Sequence, residues 1–407
     1  MRLLSLAWRN LWRHKKRSLL TVGAMVFCNA LLIFMIGLQI GNYRLMLENS
    51  LSVLTGHLQI QRTDYLDQAK LRLTIPNYET LLEDAQAVLG SSAIVAPHAL
   101  AGALLSTDDR SYGAQILGVD PIIESAFSNL AGALDQGRWL ESGPEILLGE
   151  KLAKNLNVGV GDELTLLGGG VDGSFAANVL QVVGIVNASA PELSRSLAIM
   201  PLHEFQFTFS AQDQIHLIAV RLPSWEQTNE AMNTLTPLVA ARDDLVVRDW
   251  DELMPGLKQA IISDVVSALF IYLILAVVIV FSVLNTQLMA VVERRREFGT
   301  LLALGVRPGQ LSQLVVIETA LLGLLGLTLG VAAGLALNLY LGSVGLQFDG
   351  MDEMAAKFNL PPRMYPEISW FTTLAGPILI FSGSMLASIW PSLKARFLPI
   401  LAGRGGA

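Results

Sequence analysis

The chain has 407 residues, of which 52% are hydrophobic and only 15% are charged, and its mean hydropathy is +0.49. Soluble domains usually carry about 25% charged residues, so this composition excludes a chain that is water-soluble throughout and indicates long segments inside a membrane. The net charge is -7, and the single cysteine, Cys28, excludes an intrachain disulfide.

The first predicted element is a basic amphipathic helix over residues 1–17. Apolar residues and two tryptophans recur in it at near-helical spacing, with basic residues between them. Such a helix lies in the membrane interface, with aromatic rings and cations at headgroup depth. The residues assigned to this contact are Trp8, Arg9, Trp12 and Arg13. A plain positively charged anchor has the same composition, and both interpretations stay open.

Four apolar segments are long enough to cross a bilayer core of about 30 Å, which takes about 20 helical residues. We expect membrane-spanning helices at residues 18–40, 261–292, 311–345 and 368–390. The first is longer than the core of a signal peptide and is followed by no small-residue cleavage site. The sequence therefore predicts an uncleaved anchor.

The basic residues predict the orientation of these spans. Residues 1–17, the loop 293–310 and the tail 391–407 together hold 13 basic residues and two acidic ones. Residues 41–260 hold 13 basic and 27 acidic residues. Because basic residues near span ends stay in the cytoplasm, we expect both termini to be cytoplasmic. Residues 41–260 and a short loop, 346–367, then lie outside.

Residues 41–260 are numerous enough to form a folded domain with its own core. Strand-like patterns occur at residues 57–61, 114–119, 163–167, 179–186 and 216–222, and amphipathic helical patterns at 78–89, 150–155 and 225–240. The mixed order favours an α+β domain inserted between the first two spans. We expect two lobes, with residues 105–209 inserted into the first, and a turn at glycines 168–170.

The sequence contains none of several motifs that carry chemistry. No stretch matches the phosphate-binding pattern G-x-x-x-x-G-K-[ST] or the nucleophile elbow G-x-S-x-G. The five histidines, which show no metal-ligand spacing, are His14, His57, His98, His203 and His216. The basic clusters flank membrane spans, so lipid headgroups explain them better than nucleic acid does. We expect no catalytic, cofactor or metal site in this chain.

The loop 293–310 contains a short amphipathic helix. Phe298, Leu301 and Leu302 fall at i, i+3 and i+4 and form an apolar face, and Gly305 and Pro308 are stop signals. A helix this short is marginal alone in water, so we expect it to dock. The helix could dock in a groove on a partner protein or on the lipid surface, and the composition favours neither.

The third and fourth spans each carry an unusual feature. Gly326, Gly330 and Gly334 repeat every four residues, which indicates close approach of a neighbouring helix, although a merely flexible span has the same pattern. Glu318 is a carboxylate inside the membrane, where an unpaired charge is costly. It could form an ion pair with the arginines at 294–296 or extend to the lipid headgroups, and the sequence favours neither. Pro391 is predicted to break the fourth helix, so that the tail runs along the inner membrane surface.

Together these segments resemble the ABC transporter permeases of the MacB, LolC/LolE and FtsX family, and most of all the LolE type. The family patterns A-x-R-N-L, E-R-x-x-E-x-G-x-x-x-A-L-G and P-x-x-x-A-x-x-x-P-[IL] correspond to residues 7–11, 293–305 and 391–400. Residues 55–60, 118–121 and 148–162 in the outer segment are also similar to the family. The resemblance covers nearly the whole chain in family order.

The resemblance implies that loop 293–310 is a coupling helix resting on a separate ABC ATPase. MacB has a fused ATPase domain and this sequence has none, so ATP and Mg²⁺ are expected on two copies of a cytoplasmic ATPase subunit. The residues assigned to coupling are Glu293, Arg295, Glu297, Phe298, Gly299, Leu301, Leu302 and Gly305. Further partners implied are a second permease copy or paralogue and, in some members, a periplasmic adaptor or lipoprotein carrier.

The function implied is that of a non-catalytic permease subunit in the bacterial inner membrane. By mechanotransmission, ATP-driven motion on the cytoplasmic side moves the outer domains and acts on a lipoprotein, lipid or other amphiphile. Two alternatives belong to other classes: an FtsX-like regulator that activates an outer hydrolase, and a receptor without an ATPase. The size of the outer segment favours the transporter over the regulator, and the coupling-loop pattern speaks against the receptor.

Overall fold

The computed structural model describes residues 2–13, 15–187, 191–240, 242, 244–347 and 363–397. It divides into two compact units. Of the described residues, those up to residue 44 and those in 260–347 and 363–397 form the helical unit, and those in 45–259 form the sheet domain.

The described residues form four long α-helices and a larger number of short ones. In chain order they are α1 (Arg2–Arg13), α2 (Lys15–Ser50), α3 (Tyr65–Gln68), α4 (Tyr78–Leu89), α5 (Pro121–Phe127), α6 (Glu150–Leu156), α7 (Pro191–Ser196), α8 (Leu202–Thr208), α9 (Thr228–Val239), α10 (Trp250–Leu253), α11 (Pro255–Glu293), α12 (Arg295–Ala303), α13 (Pro308–Val344) and α14 (Trp370–Arg396). A π-helical turn (Leu51–Thr55) follows α2, and 3₁₀ turns occupy Ala131–Ala133 and Trp225–Gln227.

Four helices of the described residues, α2, α11, α13 and α14, are long and apolar enough to cross a membrane. The prediction of four spans is therefore confirmed. The helices extend beyond the predicted segments, since α2 begins at Lys15 and α11 begins at Pro255. Hydropathy locates the apolar centre of a span, whereas a helix continues into polar flanking residues as long as its backbone hydrogen bonds are satisfied.

The prediction that Pro391 breaks the fourth helix is wrong, because α14 runs through it to Arg396. A proline removes one backbone donor and crowds the preceding turn. Here the hydroxyls of Ser388 and Ser392 donate to the carbonyls of Met385 and Ile389 at 2.7 and 2.8 Å. Neither bond reaches the Ala387 carbonyl, which Pro391 leaves without its donor; the last turns stay helical because Ser392 and Ala395 are buried, Ala395 in the same cluster as Phe298. The predicted surface tail from residue 398 onward lies outside the described residues.

The sheet domain is an α+β structure, as predicted. Its described strands are β1 (Leu58–Arg62), β2 (Ile75–Pro76), β3 (Ile94–Ser106), β4 (Ser111–Val119), β5 (Leu134–Gly137), β6 (Glu145–Gly149), β7 (Glu163–Gly169), β8 (Phe175–Val186), β9 (Leu197–Pro201), β10 (Gln214–Ile215), β11 (Leu217–Arg221) and β12 (Leu245–Asp249). The main sheet has the order β12-β1-β11-β3-β4-β9-β6-β8-β5, and β7 pairs with both β3 and β8. β4/β9 and β6/β8 are parallel pairs, and the other pairs are antiparallel.

The long strand β3 organises this domain. Its first residues pair with β11, and its remaining residues pair with β4 and β7. The pairs β3-β4-β9-β6-β8-β7-β3 consequently close into a ring, which leaves those strands without a free edge. One large apolar core lies against these strands and helices α4, α6, α8 and α9. The lobe boundary at residues 105–209 stays a prediction.

The five predicted strands overlap β1, β4, β7, β8 and β11, but the expected turn at glycines 168–170 is misplaced. Gly168 and Gly169 are the last residues of β7 and pair with Ala176 and Phe175. A Cβ on Gly168 would lie 3.1 Å from Cε1 of Phe209, so glycine here makes room for a buried ring. The chain turns at residues 170–174, where the Gly170 amide donates to the Ser174 carbonyl at 2.8 Å and Gly173 has a φ of +87°.

Two buried histidines of the sheet domain are held neutral by their surroundings. His216 accepts a hydrogen bond from the Leu100 amide and donates one to the Leu71 carbonyl, both at 3.0 Å. Burial lowers the pKa of His216 to about 4. Burial, aided by the charge of Arg221, lowers the pKa of His57 to about 4 as well. Both side chains act as packed neutral groups.

Acidification below pH 6.5 is expected to destabilise the sheet domain. The unfolded chain protonates these histidines near their ordinary pKa of about 6.5, whereas the folded chain does so only near 4. The free energy of unfolding therefore falls as the pH drops from about 6.5 to 4, by on the order of 3 kcal/mol for each histidine. Protease resistance of the full chain in detergent, followed against pH, measures this loss.

The matched variants are His216→Gln and His203→Gln. Glutamine keeps one donor and one acceptor but does not titrate, so His216→Gln should remove about half of the pH-dependent loss, because His57 still titrates. His203 is exposed, and its substitution should leave the profile unchanged. A profile that is already flat between pH 7 and pH 4.5 in the parent chain would contradict the assignment.

Candidate coupling site in the helical unit

The short helix α12 lies between the ends of α11 and α13. Arg294 separates it from α11 and adopts φ -93° and ψ 14°. The helix ends at Ala303, and Gly305 follows with a φ of +89°, a conformation that favours glycine. Pro308 then occupies the first turn of α13, where its missing N–H is not needed.

Arg294 is the centre of a buried polar cluster. Its side chain is 7% exposed, and one guanidinium nitrogen donates to both carboxylate oxygens of Glu318, at 2.9 and 3.0 Å. Its Nε donates to Glu297 at 3.2 Å, and its Cζ lies 4.9 Å from the ring centre of Phe298. Asn10 of α1 donates to Glu318 at 2.8 Å. The cluster thus joins α1, the start of α12 and the body of α13.

Glu318 therefore takes the first of its two expected arrangements, pairing with the arginine cluster. Its carboxylate is as buried as its partner, with 7% of the side chain exposed. A buried carboxylate is costly unless it is paired and hydrogen-bonded, and both conditions are met here. We name Arg294, Glu318 and Asn10 the buried triad.

Two more exposed ion pairs lie nearby. Arg13 contacts Glu297 at 3.0 Å, and Arg17 donates to Glu293 at 2.7 Å. In each pair at least one partner is substantially exposed to solvent, so each pair contributes little on its own, typically below about 1 kcal/mol. They connect α1 and the start of α2 to the same end of α11 and α12.

The apolar face of α12 packs inside the chain. Phe298 is fully buried, and Leu301 and Leu302 pack beside it. The other buried members of this cluster are Ala7, Val291, Leu311, Leu314, Val315 and Ala395. The sequence left a partner's groove and the lipid surface open as the surface that covers this face; in the structure α1, α11, α13 and α14 of the same chain cover it and bury its apolar side chains.

A different face of α12 is left accessible. Arg296, Thr300 and Ala303 are exposed and recur on α12 at intervals of four and three residues, and Leu304 and Arg307, which follow the end of the helix, are exposed as well. Leu304 is 77% exposed. We name these five exposed residues the outer face of α12, and in it Leu304 is the one large apolar residue, between Arg296 and Arg307 in the sequence. Arginine is enriched in protein interfaces, and the exposed leucine offers apolar surface that a partner could cover.

The remaining predicted coupling residues surround this helix. Glu293 ends α11, Arg295 begins α12 and is exposed, and Gly305 follows the last turn. Gly299 is half-buried, and a Cβ there would meet nothing within 4 Å. The structure brings these residues together around α12, and their role in coupling to an ATPase stays a prediction.

Helix α1 has one buried side and one exposed side. Ala7 and Leu11 are buried, while Trp8, Arg9 and Trp12 are exposed. The two tryptophan rings stand edge to face, with centroids 6.0 Å apart. This sidedness suits a helix in a membrane interface. Sequence reasoning missed the role of Asn10, although a polar residue three positions after Ala7 on the apolar side was an available signal.

The glycines of α13 face α2 at close range. A Cβ added to Gly326, Gly330 or Gly334 would fall 2.6, 2.5 or 2.8 Å from the nearest atom, contributed respectively by Met25, Asn29 and Ile33. The amide of Asn29 also donates to the carbonyl of Gly326 at 3.2 Å. Only glycine permits this approach of two spans, which is the packing mode of small-residue repeats in membranes.

Two protein families match different parts of this chain. The family described as MacB-like periplasmic core domain matches residues 18–238, more than half of the chain. The family described as FtsX-like permease C-terminal matches residues 269–400, which include α12 and the buried pair. The chain belongs to the MacB-like and FtsX-like family of ABC transporter permeases. The family resemblance is thereby confirmed, and the sheet domain is the MacB-like periplasmic domain of this permease.

Several curated relatives are similar to this permease. The lipoprotein-releasing system transmembrane protein LolC of Neisseria meningitidis serogroup B is 25% identical over 63% of each chain. LolE of Haemophilus influenzae is 24% identical over 75% of each chain. The macrolide export ATP-binding/permease protein MacB of Neisseria meningitidis is 24% identical over 84% of this chain and 54% of MacB. The permease thus spans under two thirds of this LolC and about half of MacB.

Among solved structures, the periplasmic region of MacB from Actinobacillus actinomycetemcomitans covers 52% of this permease and 97% of its own chain, with 19% identity and a TM-score of 0.37. The four apolar helices and the bacterial relatives fit a multi-pass inner-membrane protein. Among the described residues, no group of three or more His, Cys, Asp or Glu side chains is arranged to hold a metal ion.

Proposed function

We propose that this permease transmits the motion of an ATP-hydrolysing partner through α12 to its membrane spans, and so acts on amphiphilic cargo at the outer face of the inner membrane. The observation that carries the proposal is the buried ion pair between Arg294, at the start of α12, and Glu318, within α13. ATP and Mg²⁺ would be bound by two copies of the partner. This chain would supply the mechanical link and no catalytic group.

The two faces of α12 suit this role. Its inner face is packed against four helices of the same chain, so that α12 moves with them. Its outer face presents Leu304 between Arg296 and Arg307. A partner that pushes on the outer face would therefore move α12 together with the helices packed against it, since a close-packed interior deforms little.

The cargo class is proposed from the relatives. Two of them are named for lipoprotein release and one for macrolide export. A lipid-linked protein, a lipid or another amphiphile shares the chemistry of these cargoes. The regulatory alternative is not proposed, since these relatives are named as transport components.

The orientation is proposed from charge. Basic residues predominate around α1, α12 and the end of α14, whereas acidic residues predominate in the sheet domain. The positive-inside rule then favours α12 in the cytoplasm, where ATP is available, and both termini on the same side. A second permease copy or a paralogue, and an adaptor or lipoprotein carrier outside, would complete the assembly.

Substitution of the outer face is expected to separate the permease from its ATPase without unfolding it. Leu304→Asp places a charge on an exposed apolar side chain, and loss of an apolar anchor typically costs about 2 kcal/mol, or about thirtyfold in affinity. The measurement is the amount of P-loop ATPase that co-purifies with the tagged permease from its own host in mild detergent, together with ATP turnover.

Two control variants make this result specific. Ile122→Asp alters an equally exposed side chain in the sheet domain and should leave co-purification unchanged. Phe298→Asp places a charge in the buried cluster and should lower the thermal stability of the permease itself. Normal co-purification and ATP turnover with Leu304→Asp and Arg296→Glu combined would rule out the outer face as the docking surface.

A further inference from the structure

An apolar groove with a cationic rim lies between the ends of α11 and α14. Its walls include Val292, Trp390, Leu393 and Phe397, and its volume is about 600 Å³. Trp390 and Phe397 are 66% and 76% exposed. Arg295, the first residue of α12, and Lys394, in the last turn of α14, also line it. We name this the α11/α14 groove.

The two cations of this groove are unpaired within the described residues, as is the exposed Arg296, but Arg295 and Lys394 both line the same apolar groove and Arg296 does not. Arg294, Arg13 and Arg17 are each paired with a carboxylate of the same chain. Among the residues that the structure describes, Arg295 and Lys394 have no carboxylate partner. The sequence after Phe397 contains no acidic residue, so residues 398–407 hold no carboxylate side chain for them either.

The chemistry of an occupant follows from these two features together. An occupant must cover large apolar side chains and also bring negative charge to two cations. A free phosphate would leave the apolar walls exposed, and a neutral acyl chain would leave the cations without a partner. A zwitterionic lipid carries its own positive group next to its phosphate and gains less.

We propose that the α11/α14 groove binds one anionic phospholipid of the surrounding bilayer. The headgroup phosphate would lie at Arg295 and Lys394, and an acyl chain would cover Trp390 and its apolar neighbours. Cationic pockets between membrane helices select anionic lipids in this way, and tryptophan is enriched at headgroup depth. Since Arg295 begins α12, the bound lipid joins the end of α14 to the helix proposed to meet the ATPase.

Trp390 makes the occupancy measurable. The full chain, with its six other tryptophans replaced by phenylalanine, is reconstituted into phosphatidylcholine vesicles. Brominated phosphatidylglycerol or brominated phosphatidylcholine is then added at equal mole fraction, and quenching of Trp390 fluorescence is compared. We expect preferential quenching by the anionic lipid, with an apparent affinity about fivefold higher for each cation that contacts the headgroup.

Charge variants test the two contacts. Arg295→Gln and Lys394→Gln should each remove much of the preference, and together they should abolish it. Arg296→Gln, which removes an exposed arginine one residue away but outside the groove, should retain it. A chain that keeps only Trp370, at the other end of α14, should show equal quenching by both lipids.

Native mass spectrometry of the chain with all tryptophans intact provides an independent readout. Phosphatidylglycerol should be retained by the parent chain and by Arg296→Gln, and lost from Lys394→Gln. Equal quenching by both lipids in the parent, or a preference that survives the double substitution, overturns the proposal. So does quenching that appears only after deletion of residues 398–407, because the tail of this chain would then be the occupant.

Discussion

Replacement of Arg294 by methionine is expected to lower the free energy of unfolding of the helical unit by about 3–5 kcal/mol. The substitution keeps an apolar stem against Phe298 but leaves the carboxylate of Glu318 buried with only Asn10 as a partner. An unpaired buried charge is among the most destabilising changes in a folded protein. Unfolding of the purified chain by a rising fraction of SDS in mixed micelles measures the loss.

The second member of the pair supplies the control. Arg294→Met combined with Glu318→Leu removes both charges, and replacement of a buried pair by apolar residues is often neutral for stability. The double variant should therefore be more stable than Arg294→Met alone. Arg296→Met, which changes an exposed arginine, should have almost no effect. A loss below about 1 kcal/mol in Arg294→Met would mean that the pair is not buried as the structure has it.

The double variant also separates stability from transmission. If it unfolds like the parent but its complex hydrolyses ATP without moving cargo, the pair carries motion from α12 to α13. If transport is normal, the pair serves folding alone, and the proposed role of the buried triad is rejected.

Gly330→Ala is expected to destabilise the packing of α13 on α2 by about 1–3 kcal/mol. The added Cβ would lie 2.5 Å from Cβ of Asn29, an atom close to the backbone that moves only if the helices separate. Separation would also stretch the bond from Asn29 to the Gly326 carbonyl, now 3.2 Å. SDS unfolding and the temperature midpoint of unfolding in detergent both report the loss.

The same helix contains a matched control. Gly342 is exposed, and a Cβ there would meet nothing within 4 Å. Gly342→Ala should therefore be neutral or slightly stabilising, since alanine is the better helix former. If Gly330→Ala and Gly342→Ala behave alike, the close approach of the two spans is not real, and the glycine repeat reflects flexibility.

The location of the spans could be predicted from the sequence because the signal is local: about 20 apolar residues in a row are sufficient. The arrangement around α12 could not be predicted in the same way. The spacing of Phe298, Leu301 and Leu302 predicts that one face is buried, but not which surface covers it. Coverage depends on where α13 and α14 return, which is a long-range property of the fold.

The sequence predicted that Glu318 needs a polar partner, but not which residue supplies it. Glu318 had two suitable arrangements, because the positions of Arg294 and Asn10 relative to it follow from helix packing rather than from distance along the chain. In the sheet domain, β3 escaped prediction since its run of alanine, glycine and proline residues has low strand propensity. Its pairing on both sides with β4, β7 and β11 outweighs that propensity.

The position of Glu318 along α13 determines at which point of this span a force transmitted from α12 would act. The direct covalent route from α12 to α13 runs through the turn at residues 304–307, in which Val306 packs against the same apolar cluster as Phe298. Glu318 lies ten residues after Pro308, or about 15 Å along the helix axis. Its bonds to Arg294 of 2.9 and 3.0 Å tolerate only about 0.5 Å of slippage before they break. If α12 transmits force as proposed, this pair would carry part of it past the turn, to a point nearly three helical turns inside the span.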